Sequence, residues 1–123
     1  MRYKPEGYTS LAPYLIVPNA EAVLNFVEAV FNAKLLRIIH RPDGGIMHAE
    51  ARIDDTVLMV GEMPDGPQTH LHVYVSDPKA CFSRAIEAGA TVVQPLDGQT
   101  EDDLRGGLRD SFGTVWWIAK EAG

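Results

Sequence analysis

The sequence predicts an α+β fold of two tandem βαβββ modules that form a curved mixed sheet with a concave cavity. Three observations predict it. Stretches of strand and helix character follow one another in the same order twice. Each half sets a helix cap two residues after a strand valine, in Val17-Pro18-Asn19 and in Val75-Ser76-Asp77, an offset of 58 residues (77 − 19). The distance from cap to helix stop is 13 residues in the first half (19 to 32) and 12 in the second (77 to 89). One such module is a sheet with a helix on one face, and its other face stays bare until something packs there. Two modules that share a cavity, within one chain or across a homodimer, meet that need.

The elements follow in order. Tyr8 to Val17 has strand character, interrupted by Pro13, which points to an edge or a bulge. Asn19 is an N-cap, and Val23, Phe26, Val27, Val30 and Phe31 fall on one helical stripe that Asn32 can end in the left-handed conformation. Leu35 to His40 is a strand, Pro42-Asp43-Gly44-Gly45 a turn and Ile46 to Ile53 a strand. Asp54-Asp55 is a tight turn and Thr56 to Gly61 a fourth strand; the segment 62–69 is a loop. The second module, about 70–120 against about 8–62 for the first, opens with a strand from His70 to Ser76. Asp77 caps a helix with Pro78 at its first position, Phe82, Ala85 and Ile86 form its buried stripe, and Gly89 ends it. Ala90 to Gln94 is a strand stopped by Pro95, and a polar, acidic loop runs from Leu96 to Asp103.

The last hairpin, Gly106 to Ile118, turns at Asp110-Ser111-Phe112-Gly113, where Asp110 can accept from turn amides and Gly113 can take a positive φ. Strand alternation sends Val115, Trp117 and Ala119 to one face and Trp116 and Ile118 to the other. Two adjacent tryptophans therefore serve two surfaces, one under a helix and one facing a ligand or a partner chain.

At 123 residues the chain reads as a single domain, 1–123, and is long enough for a core without staples. Its net charge of −6, from 17 acidic and 11 basic residues, argues against nucleic acid or an anionic membrane as partner. No apolar run is long enough to span a bilayer, and Met1 to Gly7 has no signal-peptide core. The lone Cys81 allows no intrachain disulfide. The expected location is cytoplasmic.

Chemistry-bearing residues gather on alternate positions. His48, Glu50 and Arg52 share one face of their strand, opposite Ala49, Ala51 and Ile53, whose smaller side chains suit helix packing. His70, His72, Tyr74 and Ser76 share another face, opposite Leu71, Val73 and Val75. His48, Glu50, His70 and His72 thus face the expected cavity, either as metal ligands or as polar groups hydrogen-bonded to one another in a wet groove. Cys81, on a helix, reads as a small buried hydrophobe and the run Glu101-Asp102-Asp103 as a solvated loop or a pocket lid.

The chain resembles the vicinal oxygen chelate superfamily (glyoxalase I, bleomycin-resistance proteins, extradiol dioxygenases), and within it the PhnB-like branch. The resemblance is carried by Pro5-Glu6-Gly7-Tyr8, Pro13-Tyr14-Leu15-Ile16-Val17, His48-Ala49-Glu50, Ala88-Gly89-Ala90 and Arg109-Asp110-Ser111-Phe112-Gly113 with Trp116-Trp117. The chain departs from that branch at Ser111, where a proline is usual, and at Asp102-Asp103-Leu104, where Gly-Asp-Arg is common. The resemblance implies four metal-ligand positions, which fall here on Ala12, Met59, His70 and Trp117. Only His70 is a ligand of the required kind.

The expected function is therefore a metal-free small-molecule-binding protein of the glyoxalase/bleomycin-resistance type, sequestering a drug-like or aromatic ligand, as in antibiotic resistance. Its expected ligand-binding residues are Tyr14, His48, Glu50, Met59, His70, His72 and Trp117; the acidic balance of the chain favours a cationic or neutral ligand. The alternative is a metal-dependent lyase or dioxygenase using His48, Glu50, His70 and His72, with Glu50 as catalytic base and His70 and His48 as the fallback metal ligands.

Overall fold

The computed structural model describes residues 4–96 and 103–121. The chain forms two compact units, Met1–Gly66 and Pro67–Gly123, which fall at the boundary between the two repeats.

The first unit contains β1 (Tyr14–Val17), α1 (Ala20–Phe31), β2 (Lys34–His40), β3 (Ile46–Ile53) and β4 (Thr56–Glu62). Its strands are ordered β1-β4-β3-β2, with β1 parallel to β4 and the other pairs antiparallel. Asn19 caps α1, its side chain accepting from the Ala22 amide, and Asn32 ends the helix at φ 57°. Helix α1 packs on β3 and β4. Val23, Val27 and Val30 are buried with Ala49, Ala51, Leu58 and Val60, and the two alanines let the helix approach β3 closely.

The second unit contains β5 (Thr69–Tyr74), α2 (Pro78–Glu87), β6 (Thr91–Gln94), β7 (Asp103–Arg109) and β8 (Thr114–Glu121), in the equivalent order β5-β8-β7-β6. Asp77 caps α2 by accepting from the Ala80 amide. Both sheets are mixed and each carries its helix after its first strand, so the two βαβββ modules are present as expected. No helix among the described residues is long and apolar enough to cross a membrane.

Three details differ from the sequence reading. The first strand begins at Tyr14, since Pro13 has no N–H to give, and the stretch before it leaves the ladder. The buried stripe of α2 is Pro78, Cys81, Phe82 and Ala85, whereas Ile86 is 50% exposed, one step of 100° too far round the helix. The acidic Glu101-Asp102 pair lies outside the described residues, and the backbone of Asp103 opens β7. Cys81 is fully buried, and burial pushes its thiol pKa up, as suits an inert packing residue.

Glu62 ties the first unit together. Its Oε2 accepts from the amide of Ala20, the first residue of α1, at 2.9 Å, and its Oε1 accepts from the amide of Ile46 at the start of β3, at 2.7 Å. These backbone hydrogen bonds, Ile46 first and then Ala20, hold its carboxyl below the ordinary glutamate value of 4.5. A lowered folded-state pKa means that ionised Glu62 stabilises the fold fully above about pH 4.5, and that this contribution fades as pH falls through the folded value. Urea midpoints measured against pH are expected to fall more steeply below pH 4.5 in the wild type than in Glu62→Gln, which is less stable at pH 7 by about 2 kcal/mol.

Candidate functional site

In the first unit the face of the sheet turned away from α1 carries a chain of hydrogen bonds. Tyr14 on β1 pairs in register with Met59 on β4, Met59 with Glu50 on β3, and Glu50 with Arg37 on β2, so these four share one face. His48 sits two residues before Glu50, on the same face. The Tyr14 hydroxyl lies 3.0 Å from His48 Nδ1, His48 Nε2 lies 2.8 Å from Glu50 Oε2, and the Tyr8 hydroxyl donates to Glu50 Oε1 at 2.5 Å. Arg52, further along β3, donates to the Gly7 carbonyl at 2.6 Å. Residues 7 and 8 are thereby fastened over this face, and this is the role of a stretch expected to be strand.

Glu50 is 5% exposed. Burial pushes its carboxyl pKa up, but the hydrogen bonds from Tyr8 and His48 and the nearby Arg37 guanidinium outweigh that, and it settles below the ordinary value. The same bond raises the Tyr8 phenol.

Tyr14 reaches His48 across the intervening strand β4. The crossing is open because position 61 is glycine: a Cβ there would stand 3.2 Å from the Tyr14 hydroxyl. Continuing the register of Ala49 with Val60 by one step sets Gly61 opposite His48.

The second unit repeats this device. Trp117 on β8 pairs with His72 on β5 and with Gly107 on β7. Its six-membered ring lies over Gly107, where a Cβ would come within 2.7 Å of Cζ3. The Trp117 indole N–H donates to His70 Nδ1 at 3.2 Å, and the two rings are inclined by only 15° with centroids 6.3 Å apart. Indole and imidazole therefore form one nearly flat shelf. Gly107→Ala is expected to lift the indole and break its bond to His70, displacing the Trp117 indole N–H resonance while leaving that of Trp116 in place.

Two arginines stand beside Trp117. Arg105 pairs with Ala119 and Arg109 with Val115, so both arginines stand on the Trp117 face, on either side of Gly107. Arg105 Nε is buried with no hydrogen-bond partner among the described residues.

The site residues expected from sequence thus fall into two groups: Tyr14, His48, Glu50 and Met59 on one sheet face, and His70, His72 and Trp117 on another. Sequence reasoning missed Tyr8, Arg105 and Arg109 as site residues, and Gly61 and Gly107 as ring floors. A glycine inside a strand signals close approach by another group, and that signal could have found the two floors.

The cross-strand pairs repeat between the two units. Tyr14 pairs with Met59 and His72 with Trp117, and both members keep the 58-residue offset (72 − 14 and 117 − 59). Ala12 precedes β1, and His70 lies two residues before His72, the cross-strand partner of Trp117. A phenol, a thioether, one imidazole and an indole do not suit a hard divalent ion. Among the described residues no three His, Cys, Asp or Glu side chains gather as a metal site. A separate groove of about 310 Å³, on the helix side of the first sheet, runs between α1 and β2 over Leu24, Leu35, Ile38 and Ala51, away from these groups.

Comparison with known proteins places this geometry. The model of the Glyoxalase/Bleomycin resistance protein/Dioxygenase superfamily matches residues 8–118. An uncharacterized protein of Mycobacterium bovis is 34% identical over 125 residues, covering 90% of this chain and 82% of the relative. Among solved structures, TioX from Micromonospora sp. ML1 superposes with a TM-score of 0.78 at 23% identity, over 93% of this chain and 99% of that one. TnmS3, an antibiotic binding protein from Streptomyces sp. CB03234, does so with a TM-score of 0.70 at 20% identity, over 93% and 98%.

Proposed function

We propose that this chain, which belongs to the Glyoxalase/Bleomycin resistance protein/Dioxygenase superfamily, is a metal-free binding protein for a planar aromatic ligand that carries an anionic group. The observation that carries this reading is the Trp117 shelf: an indole laid over Gly107 and held level with His70 by its own N–H. Stacking on such a surface needs no rearrangement, so little affinity is lost to ordering the side chain. Arg105 and Arg109 on the same face supply the charge preference through their guanidinium groups. TnmS3, of the same fold, is an antibiotic binding protein, which supports a drug-like aromatic as the ligand class.

The test is calorimetric titration with anthraquinone-2-carboxylate, anthraquinone-2-carboxamide and an anthracycline, each with and without a chelator. Saturable binding that is tightest for the carboxylate and indifferent to the chelator is expected. Binding that needs added metal, or no binding by any of the three, contradicts the reading.

A further inference from the structure

We propose that Tyr14 is an activated nucleophile that accepts acyl groups from activated carboxylic esters, with His48 as its base. This is a chemical activity in the first unit, independent of ligand stacking on Trp117. Glu50 accepts at both oxygens, from the Tyr8 hydroxyl at Oε1 and from His48 Nε2 at Oε2. A carboxylate has no proton to give, so His48 Nε2 carries the hydrogen. In the neutral imidazole Nδ1 is then a lone pair, and the Tyr14 hydroxyl 3.0 Å away donates to it. Hydroxyl, imidazole and buried carboxylate stand in the order nucleophile, base and orienting group.

Exposure divides these roles. Tyr14 is 46% exposed, so an electrophile can approach its side chain, whereas Glu50 is 5% exposed and kept from water. Gly61 keeps the path from Tyr14 to His48 open, and the bond from Tyr8 holds the far oxygen of Glu50. Both features are explained if the Tyr14 proton must be delivered to His48.

The step balances without any other reactant. Tyr14 Oη bonds to the acyl carbon as the bond from that carbon to the leaving aryloxide breaks. The phenol proton passes to His48 Nδ1 and on to water, and the aryloxide leaves as the anion. Water then adds to the acyl carbon, the bond to Tyr14 Oη breaks, and Oη regains a proton through His48 as the carboxylic acid departs.

The full chain is treated with 4-nitrophenyl acetate, and acetylation of each tyrosine is followed by peptide mapping in a mass spectrometer. Tyr14 is expected to be acetylated on the order of 100-fold faster than Tyr74. Tyr74 is the more exposed of the two at 63%, and its ring meets that of His72 at a tilt of 60°. His48→Gln keeps an acceptor for the Tyr14 hydroxyl but cannot take its proton, and is expected to lose that advantage with Tyr74 acetylation unchanged. Glu50→Gln keeps an acceptor for Nε2–H without the charge, and is expected to slow Tyr14 while the protein melts as a folded chain. Tyr14→Phe, a change of one oxygen, is expected to abolish fast nitrophenolate release. Equal labelling of Tyr14 and Tyr74, a Tyr14 rate that survives His48→Gln, or undiminished release from Tyr14→Phe would overturn the proposal.

Discussion

Asp110→Ala is expected to lower the unfolding free energy by about 3 kcal/mol. Asp110 is 3% exposed. Its Oδ1 accepts from the amides of Phe112 at 2.8 Å and Thr114 at 3.0 Å, and its Oδ2 accepts from the Trp116 indole N–H at 2.8 Å. The carboxylate thus closes the β7–β8 turn and satisfies the largest fully buried side chain of the second unit, since Trp116 is 1% exposed. Alanine leaves the indole N–H and a turn amide without acceptors in a place water does not reach. Asp110→Asn keeps one carbonyl acceptor and is expected to lose about 1 kcal/mol. Urea unfolding followed by tryptophan emission distinguishes the two. Equal, small losses for both variants would show that the turn stands without the carboxylate.

Trp117→Ala is expected to weaken anthraquinone-2-carboxylate by roughly 30-fold, equivalent to about 2 kcal/mol, with little effect on stability. The indole is partly exposed and rests on a glycine, so its removal opens no cavity in the core. Arg105→Gln is expected to weaken the carboxylate about tenfold and the carboxamide far less, because only the charged ligand loses a charge-assisted hydrogen bond. Gly107→Ala leaves every ligand-facing functional group in the sequence and still reduces affinity, by displacing the ring. The contrast separates a stacking surface from a tryptophan that merely packs.

Much of the fold was legible because its signals are local. Asn19 and Asp77 cap the helices the sequence assigned to them, and the alternation in β3 correctly separates Ala49 and Ala51 from His48 and Glu50. The 58-residue offset between caps reappears as the offset between the pairs Tyr14–Met59 and His72–Trp117. The site was only half legible, because its contacts join residues far apart in the chain. No periodicity brings Tyr14 to His48, 34 residues on, or Tyr8 to Glu50, 42 residues on. That contact needs the strand order β1-β4-β3 and a missing side chain at position 61. The two arginines beside Trp117 were hidden for a different reason. A net charge of −6 is a property of the whole surface, whereas Arg105 and Arg109 share a face only once the register of β7 on β8 is known.

The most direct measurement is the pair of indole N–H resonances of the ¹⁵N-labelled protein during titration with anthraquinone-2-carboxylate. Trp117 donates from an exposed shelf to His70, and Trp116 donates from the core to Asp110, so the two report on different faces of one strand. The Trp117 resonance is expected to shift saturably, with the shift abolished in Gly107→Ala and Trp116 unmoved. A Trp117 resonance that stays still while the ligand binds elsewhere, or no binding at all, would contradict ligand stacking on Trp117.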